Sequence, residues 1–189
     1  MHASHTPRAQ SAVAVDNRQL LRSVMIGIAA GLSASWIMDR FQAVVNAASS
    51  EDDDSKDSGQ DKPSTVKAAD MLSEAAVGEP VPDRFEEPAG SAVHYGFGAF
   101  LGGVYGAMGE FAPGIRAGFG AAYGAGVALV ADEALVPAVG LAPPPQQVPA
   151  RTHAYGIVSH LVFGAALEAS RRLIEQAMTR RQGNREGQG

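Results

Sequence analysis

Three histidines, His94, His153 and His160, lie in or beside apolar, glycine-rich stretches, in company with Asp39, Arg40, Asp132 and Glu133. Imidazole titrates near neutral pH, so histidines and carboxylates gathered at one depth could sense or relay protons. The same donors could hold a divalent metal. Neither use has a diagnostic spacing here. There is no HExxH, and His153 and His160 are seven apart, which puts both on one face of a helix. Two further acids, Glu110 and Glu168, close apolar stretches close to Arg116, Arg171 and Arg172. For these, ion pairing is the simplest role: Glu168 reaches Arg172 at i+4, and Glu110 meets the arginines of the turn beyond it. No nucleophile elbow, phosphate-cradling loop or dinucleotide fingerprint occurs. The chain therefore reads as non-enzymatic, with no catalytic residue, resident metal or cofactor assigned.

The elements that must position these residues are four charge-free windows: Val24–Met38, Ala92–Gly109, Ala117–Ala131 and Ala154–Leu167. A helix needs about 20 residues to cross a bilayer core. Each window reaches that length by taking in the ionisable residues at its ends. A soluble four-helix bundle is the competing reading. Against it, the windows lack the polar face of a surface helix, and glycine costs a soluble helix roughly 1 kcal/mol per site relative to alanine. The mean hydropathy of −0.04 hides this, because polar residues are gathered into blocks. A cleaved signal peptide is also disfavoured, since the leader before Val24 is long and Asp39-Arg40 interrupts the approach to VVNAASS. The expected fold is all-α: a polytopic membrane protein with spans at about 22–45, 91–111, 115–136 and 152–172.

Around that membrane domain (21–174), residues 1–20 read as a disordered N-terminus and 175–189 as a basic tail. Residues 49–90 form an acidic loop, in which Ser64 can cap a short helix, and PAVGLAPPPQQVP reads as extended polyproline. Arg8, Arg18 and Arg22 precede the first span, Arg116 sits between the second and third, and five arginines follow the fourth. By the positive-inside rule both termini are cytoplasmic. The lipid bilayer is then the main partner, with a homo-oligomer open. The net charge of −5 argues against nucleic acid.

Glycines recur at four-residue spacing, Gly27 and Gly31, Gly98, Gly102 and Gly106, and Gly120 and Gly124, while Gly156 and Gly164 share a four-residue stripe with His160 between them. Small residues so spaced let helices in lipid approach closely. GIAAGLSASWIMDR (27–40) also aligns with GAAYGAGVALVADE (120–133), and VYGAMGE (104–110) with VFGAALE (162–168). Spans one and two thus read as a copy of spans three and four, a parallel tandem repeat.

HYGFGAFLGGVYGAMGEFAP, then ADEALVPAVGLAPPP, then HLVFGAALEASRR, with STVKAADML and GLSASWIMDRF before them, resemble the YagU-like family of uncharacterised bacterial inner-membrane proteins. The resemblance covers roughly residues 22–174. It implies a polytopic inner-membrane protein with a domain of unknown function, and carries no catalytic residues. The acidic run EDDDSKDSGQDK looks like an insertion peculiar to this chain. The leading functional reading is a transporter-like or envelope-supporting membrane protein. One alternative is a metal-binding protein or metalloenzyme using His94, His153, His160 and Asp132 or Glu133. Another is an adaptor that recruits a partner through its loop or tail.

Overall fold

The computed structural model describes residues 16–49 and 62–186. Five helices carry the fold, and no strand occurs among the described residues. Helix α1 spans Asn17–Ser49. Asp16 precedes it and accepts the Arg18 backbone N–H at 3.1 Å, satisfying a donor left free at a helix start. Residues 17–20, expected in the disordered tail, are therefore helical; residues 1–15 lie outside the described residues. Helix α2, Ser64–Val77, follows Pro63 and ends at Gly78, whose left-handed backbone (φ 83°) turns its N–H onto the Glu74 carbonyl. Helix α3, Glu86–Phe111, opens with two acids, which suit the positive end of a helix. Pro113 lies just beyond its end.

The turn after α3 departs from expectation. A 3₁₀ turn, Pro113–Arg116, leads into three consecutive left-handed residues, Gly118, Phe119 and Gly120 (φ 60°, 58° and 84°). Helix α4 therefore begins at Ala121 and not near residue 115, and runs Ala121–Ala138. Gly120 belongs to the turn before the helix. Within α4, Ala128–Leu135 widens into π-helix. The proline-rich loop is not uniformly extended, because Pro145–Gln147 form a 3₁₀ turn. Helix α5 is continuous over Ala150–Glu186.

The helices pack as two antiparallel hairpins, α1 with α3 and α4 with α5. In the first, a Cβ on Gly27 would run into the Gly102 carbonyl and one on Gly31 into the Gly98 carbonyl. In the second, Gly120 faces the Gly164 carbonyl and Gly124 the His160 carbonyl. The sequence alignment pairs Gly106 with Gly164, whereas the packing pairs Gly102 with Gly164. The second hairpin is thus displaced by four residues, about 6 Å of helix, from the register that the aligned repeat would give.

Small residues fill the interior. Ala30, Ala34 and Ala166 pack with Met38, Tyr105, Phe163 and Leu167. Large apolar side chains face outward, among them Leu32, Trp36, Phe100, Leu129, Val130 and Leu173. In water this distribution would expose what is usually buried. Two helices, Asn17–Ser49 and Ala121–Ala138, are long and apolar enough to cross a membrane.

Candidate functional site

At the end of the bundle where α2 docks, a cavity of about 870 Å³ opens between the two hairpins. That lies within the roughly 300–1,000 Å³ typical of small-molecule sites. Every major helix contributes to its wall: Met38 from α1, Thr65 from α2, Phe97 and Leu101 from α3, Leu135 from α4 and Phe163 from α5. The loop 139–149 lies along it, with Leu141 and Pro145 in the lining. Set into this apolar wall are His94, Asp132, Glu133, His153 and His160.

The seven residues singled out in the sequence do not form one cluster. They form three His–carboxylate pairs, and Arg40 turns away to lie over the Trp36 ring at 5.9 Å. His94 Nε2 lies 3.0 Å from Asp39 Oδ1, at an angle that makes it an ion-pair contact and not a hydrogen bond. Asp39 is instead bonded by the Tyr95 hydroxyl, which donates to Oδ2 at 2.7 Å. His153 Nδ1 meets Glu133 Oε1 at 2.5 Å, while its Nε2 reaches the Pro145 carbonyl at 3.0 Å. A carbonyl only accepts, so a ring with a carboxylate on one nitrogen and a carbonyl on the other is best served as imidazolium. His160 Nδ1 donates to the Gly156 carbonyl at 3.0 Å and faces Asp132 Oδ2 at 3.2 Å.

The local backbone explains why both acids of α4 reach the wall. Neighbouring residues of an α-helix diverge by about 100°, so adjacent acids there rarely serve one site. Asp132 and Glu133 lie in the π-helical turn, a local widening often found at functional sites. Gly156, expected as a helix-packing residue, instead borders the cavity: a Cβ there would stand 3.3 Å from Asp132 Oδ2.

Two lining residues escaped the sequence reading. Ser35 and Ser159 are fully buried, and neither hydroxyl has a hydrogen-bond partner among the described residues. A lone serine inside an apolar window carries no distinguishing pattern, so no signal could have picked these two out. An unmade bond of this kind costs about 1–3 kcal/mol.

At the opposite end of the bundle the buried acid is fully satisfied. Glu168 is completely buried and accepts four bonds: from Arg171 Nε and Nη2 at 2.8 Å each, from Arg172 Nε at 2.6 Å, and from the Tyr105 hydroxyl at 2.8 Å. Glu110 does not meet the arginines of the following turn. Its oxygens accept from Gln19 at 2.6 Å and Ser23 at 2.7 Å, because α1 runs alongside at that depth. Arg116 folds back onto Gly109, where a Cβ would collide with its guanidinium.

Helix α2 is held over the cavity end from outside the bundle. Lys62 bridges Asp70 at 2.9 Å and Glu86 at 2.6 Å. Those bonds raise the Lys62 pKa, the Glu86 bond foremost, and the Lys62 bond lowers the Asp70 carboxyl from its ordinary value.

Among the described residues no three His, Asp or Glu side chains come together as metal ligands do. The donors stand in pairs, so the geometry lends the metal alternative no support. Most of the acidic run 49–63, on which the adaptor alternative drew, lies outside the described residues.

Compared with known proteins, residues 84–169 match the model of a family described as protein of unknown function (DUF1440). That segment covers α3, α4 and most of the bundle half of α5, and contains every histidine of the cavity wall. No curated protein and no solved structure matches the chain.

Proposed function

We propose that this chain is a four-span, non-enzymatic protein of the bacterial inner membrane that holds a small molecule between two glycine-packed hairpins, as a transporter-like component would. The observation that carries the reading is the convergence of five ionisable side chains on one drug-sized apolar cavity. An isolated ion pair inside a membrane protein needs no cavity, and five ionisable groups around one space are suited to a guest.

The membrane half of the proposal rests on the inverted distribution of side chains. Glycine, alanine and serine lie within, while Trp36, Phe100, Leu129 and Val130 face outward. Lipid is the natural neighbour for such a surface. The third and fourth crossings are α3 and α5, whose ionisable residues sit near their ends or are paired. The resemblance to YagU-like inner-membrane proteins and the arginine distribution favour cytoplasmic termini, so the cavity lies in the outer half. Exposed apolar faces also leave room for a second copy of the chain.

Because the chain has no cysteine, single-cysteine labelling tests both parts. In intact cells an impermeant maleimide should label Ser58→Cys and spare Thr179→Cys until the membrane is opened. Reversed labelling would overturn the orientation, and labelling of both would overturn the four spans. A small methanethiosulfonate reagent should modify His160→Cys in the purified, folded protein. An unreactive thiol there would mean that the space is closed to guests.

A further inference from the structure

We infer that the cavity is a binding site for a lipophilic cation, an organic ammonium or phosphonium with apolar substituents, and that a proton on His160 competes with it. This rests on the small-molecule reading above and adds the chemistry of the guest.

Shape and lining come first. The wall is apolar and carries two aromatic rings, Phe97 and Phe163, together with Tyr155. Aromatic faces attract a cation brought within about 6 Å, the more so where water is excluded. The buried hydroxyls of Ser35 and Ser159, without hydrogen-bond partners among the described residues, are unspent polar groups on the same wall.

The charge balance selects the sign of the guest. His153, bonded at both nitrogens, carries the positive charge that offsets Glu133. His160 uses its Nδ1–H on the Gly156 carbonyl and has no need of a second proton, so Asp132 beside it is uncompensated when the ring is neutral. Asp39, beside His94, is bonded by Tyr95 and lies outside the cavity lining. The other charged groups near these rings do not cancel the deficit: Arg40 on α1 lies over Trp36, and Lys62 near α2 is engaged by Asp70 and Glu86. Tyr95 and Tyr155 are neutral phenols at physiological pH. With His160 neutral the cavity wall therefore carries one carboxylate, Asp132, without a cationic partner, which favours a cation and repels an anion. A proton on His160 offsets that charge.

Gly156 provides the space for the guest beside the more accessible acid. Its missing side chain leaves Asp132 Oδ2 facing open volume, and a Cβ there would crowd the carboxylate at 3.3 Å.

The test is equilibrium dialysis of the detergent-purified full chain against tetraphenylphosphonium and against tetraphenylborate, ions of matched shape and opposite charge. Measurements at about pH 8 and about pH 5.5 bracket the ordinary histidine value of roughly 6.5. Saturable binding of the phosphonium is expected at the higher pH. It should weaken at the lower pH, where a proton on His160 would offset Asp132. Asp132→Asn should weaken phosphonium binding at the higher pH and reduce the pH dependence. Gly156→Leu should weaken it at either pH, with circular dichroism confirming that both variants are folded. Equal binding of phosphonium and borate would overturn the cation assignment and leave the small-molecule cavity standing. Saturable phosphonium binding that ignores pH in the unaltered chain would overturn the proton competition. No saturable binding of either ion to the folded chain would overturn this inference. It would leave the cavity reading to be judged by His160→Cys, whose failure to react would bring that down as well.

Discussion

Replacing Gly102 by alanine asks whether the two helices of the first hairpin touch backbone to backbone. A Cβ at this position would overlap the Gly27 carbonyl oxygen and stand 2.8 Å from Gly31 Cα and 2.9 Å from Gly31 N. Comfortable carbon contacts begin near 3.5 Å, so α1 and α3 must part by about 1 Å. No obstructing atom belongs to a flexible side chain, which places the cost near the upper end of the ~1–3 kcal/mol typical of overpacking. Alanine returns about 1 kcal/mol of helix propensity. The net loss is then about 2 kcal/mol, roughly a thirtyfold shift in the folding equilibrium. Gly96→Ala is the matched control, since a Cβ there meets nothing within 4 Å on the same helix. It should be neutral or stabilising by up to about 1 kcal/mol. The assay is unfolding of the purified protein by titrating a denaturing detergent into a mild one, followed by circular dichroism. Should Gly102→Ala and Gly96→Ala unfold at the same point, the close helix contact is not what holds this hairpin.

The far end of the bundle and the α2 attachment give further expectations. Glu168→Gln leaves Arg171 and Arg172 without their shared carboxylate and should destabilise by about 3 kcal/mol in the same titration. Tyr105→Phe removes one of the four bonds to Glu168 and should cost about 1 kcal/mol. Tyr123→Phe should cost a similar amount, because its hydroxyl donates to the Leu101 carbonyl at 2.7 Å and ties α4 to α3. The docking of α2 should depend on pH through Asp70. Its carboxyl is lowered below 3.8 in the folded chain, so the contribution is complete above that value and is lost as pH falls through the lower one. Lys62 is raised, so its part persists through neutral pH and goes only in strong alkali. Protection factors of residues 64–77, which correct for the intrinsic fall of exchange with pH, should therefore be high at neutral pH and drop in acid. Lys62→Met should bring the low protection to neutral pH.

Helix content was legible because it rests on local patterns: charge-free windows, few internal prolines, and acids or glycines at the boundaries. The pairing of Glu168 with Arg172 was legible for the same reason, being set by one helix's own geometry. What could not be read were relations between elements. Nothing near Glu110 announces Gln19 and Ser23, which lie 91 and 87 residues away and meet it only because α1 runs beside α3. The start of α4 was missed because Gly120 looks like any glycine of a small-residue helix, and only its positive φ places it in the turn. The depth of the histidines suggested one cluster. Each ring is held instead by the carboxylate its own hairpin brings alongside, and the cavity is what the three rings share.

The four-residue displacement of the second hairpin accounts for where the cavity lies. In the first hairpin Asp39 has His94 beside it, and Gly31 meets Gly98. The packing places Asp132 where Asp39 stands and Gly124 where Gly31 stands, so Gly156 takes the position of His94 and His160 that of Gly98. A glycine opposite Asp132 supplies no imidazole, and the nearest histidine comes from one turn farther along α5. The π-helical widening lets the carboxylate lean toward it while Glu133 keeps His153. Had the second hairpin kept the aligned register, Gly124 would meet Gly156 and the acid would sit beside residue 152, a threonine in this chain. The slipped register exchanges that arrangement for an empty position next to a carboxylate. Gly156→His should restore in the second hairpin the pairing of the first, fill the space beside Asp132, and abolish phosphonium binding while leaving the chain folded. A variant that still bound the cation with unaltered affinity would show that the guest does not lie against Asp132.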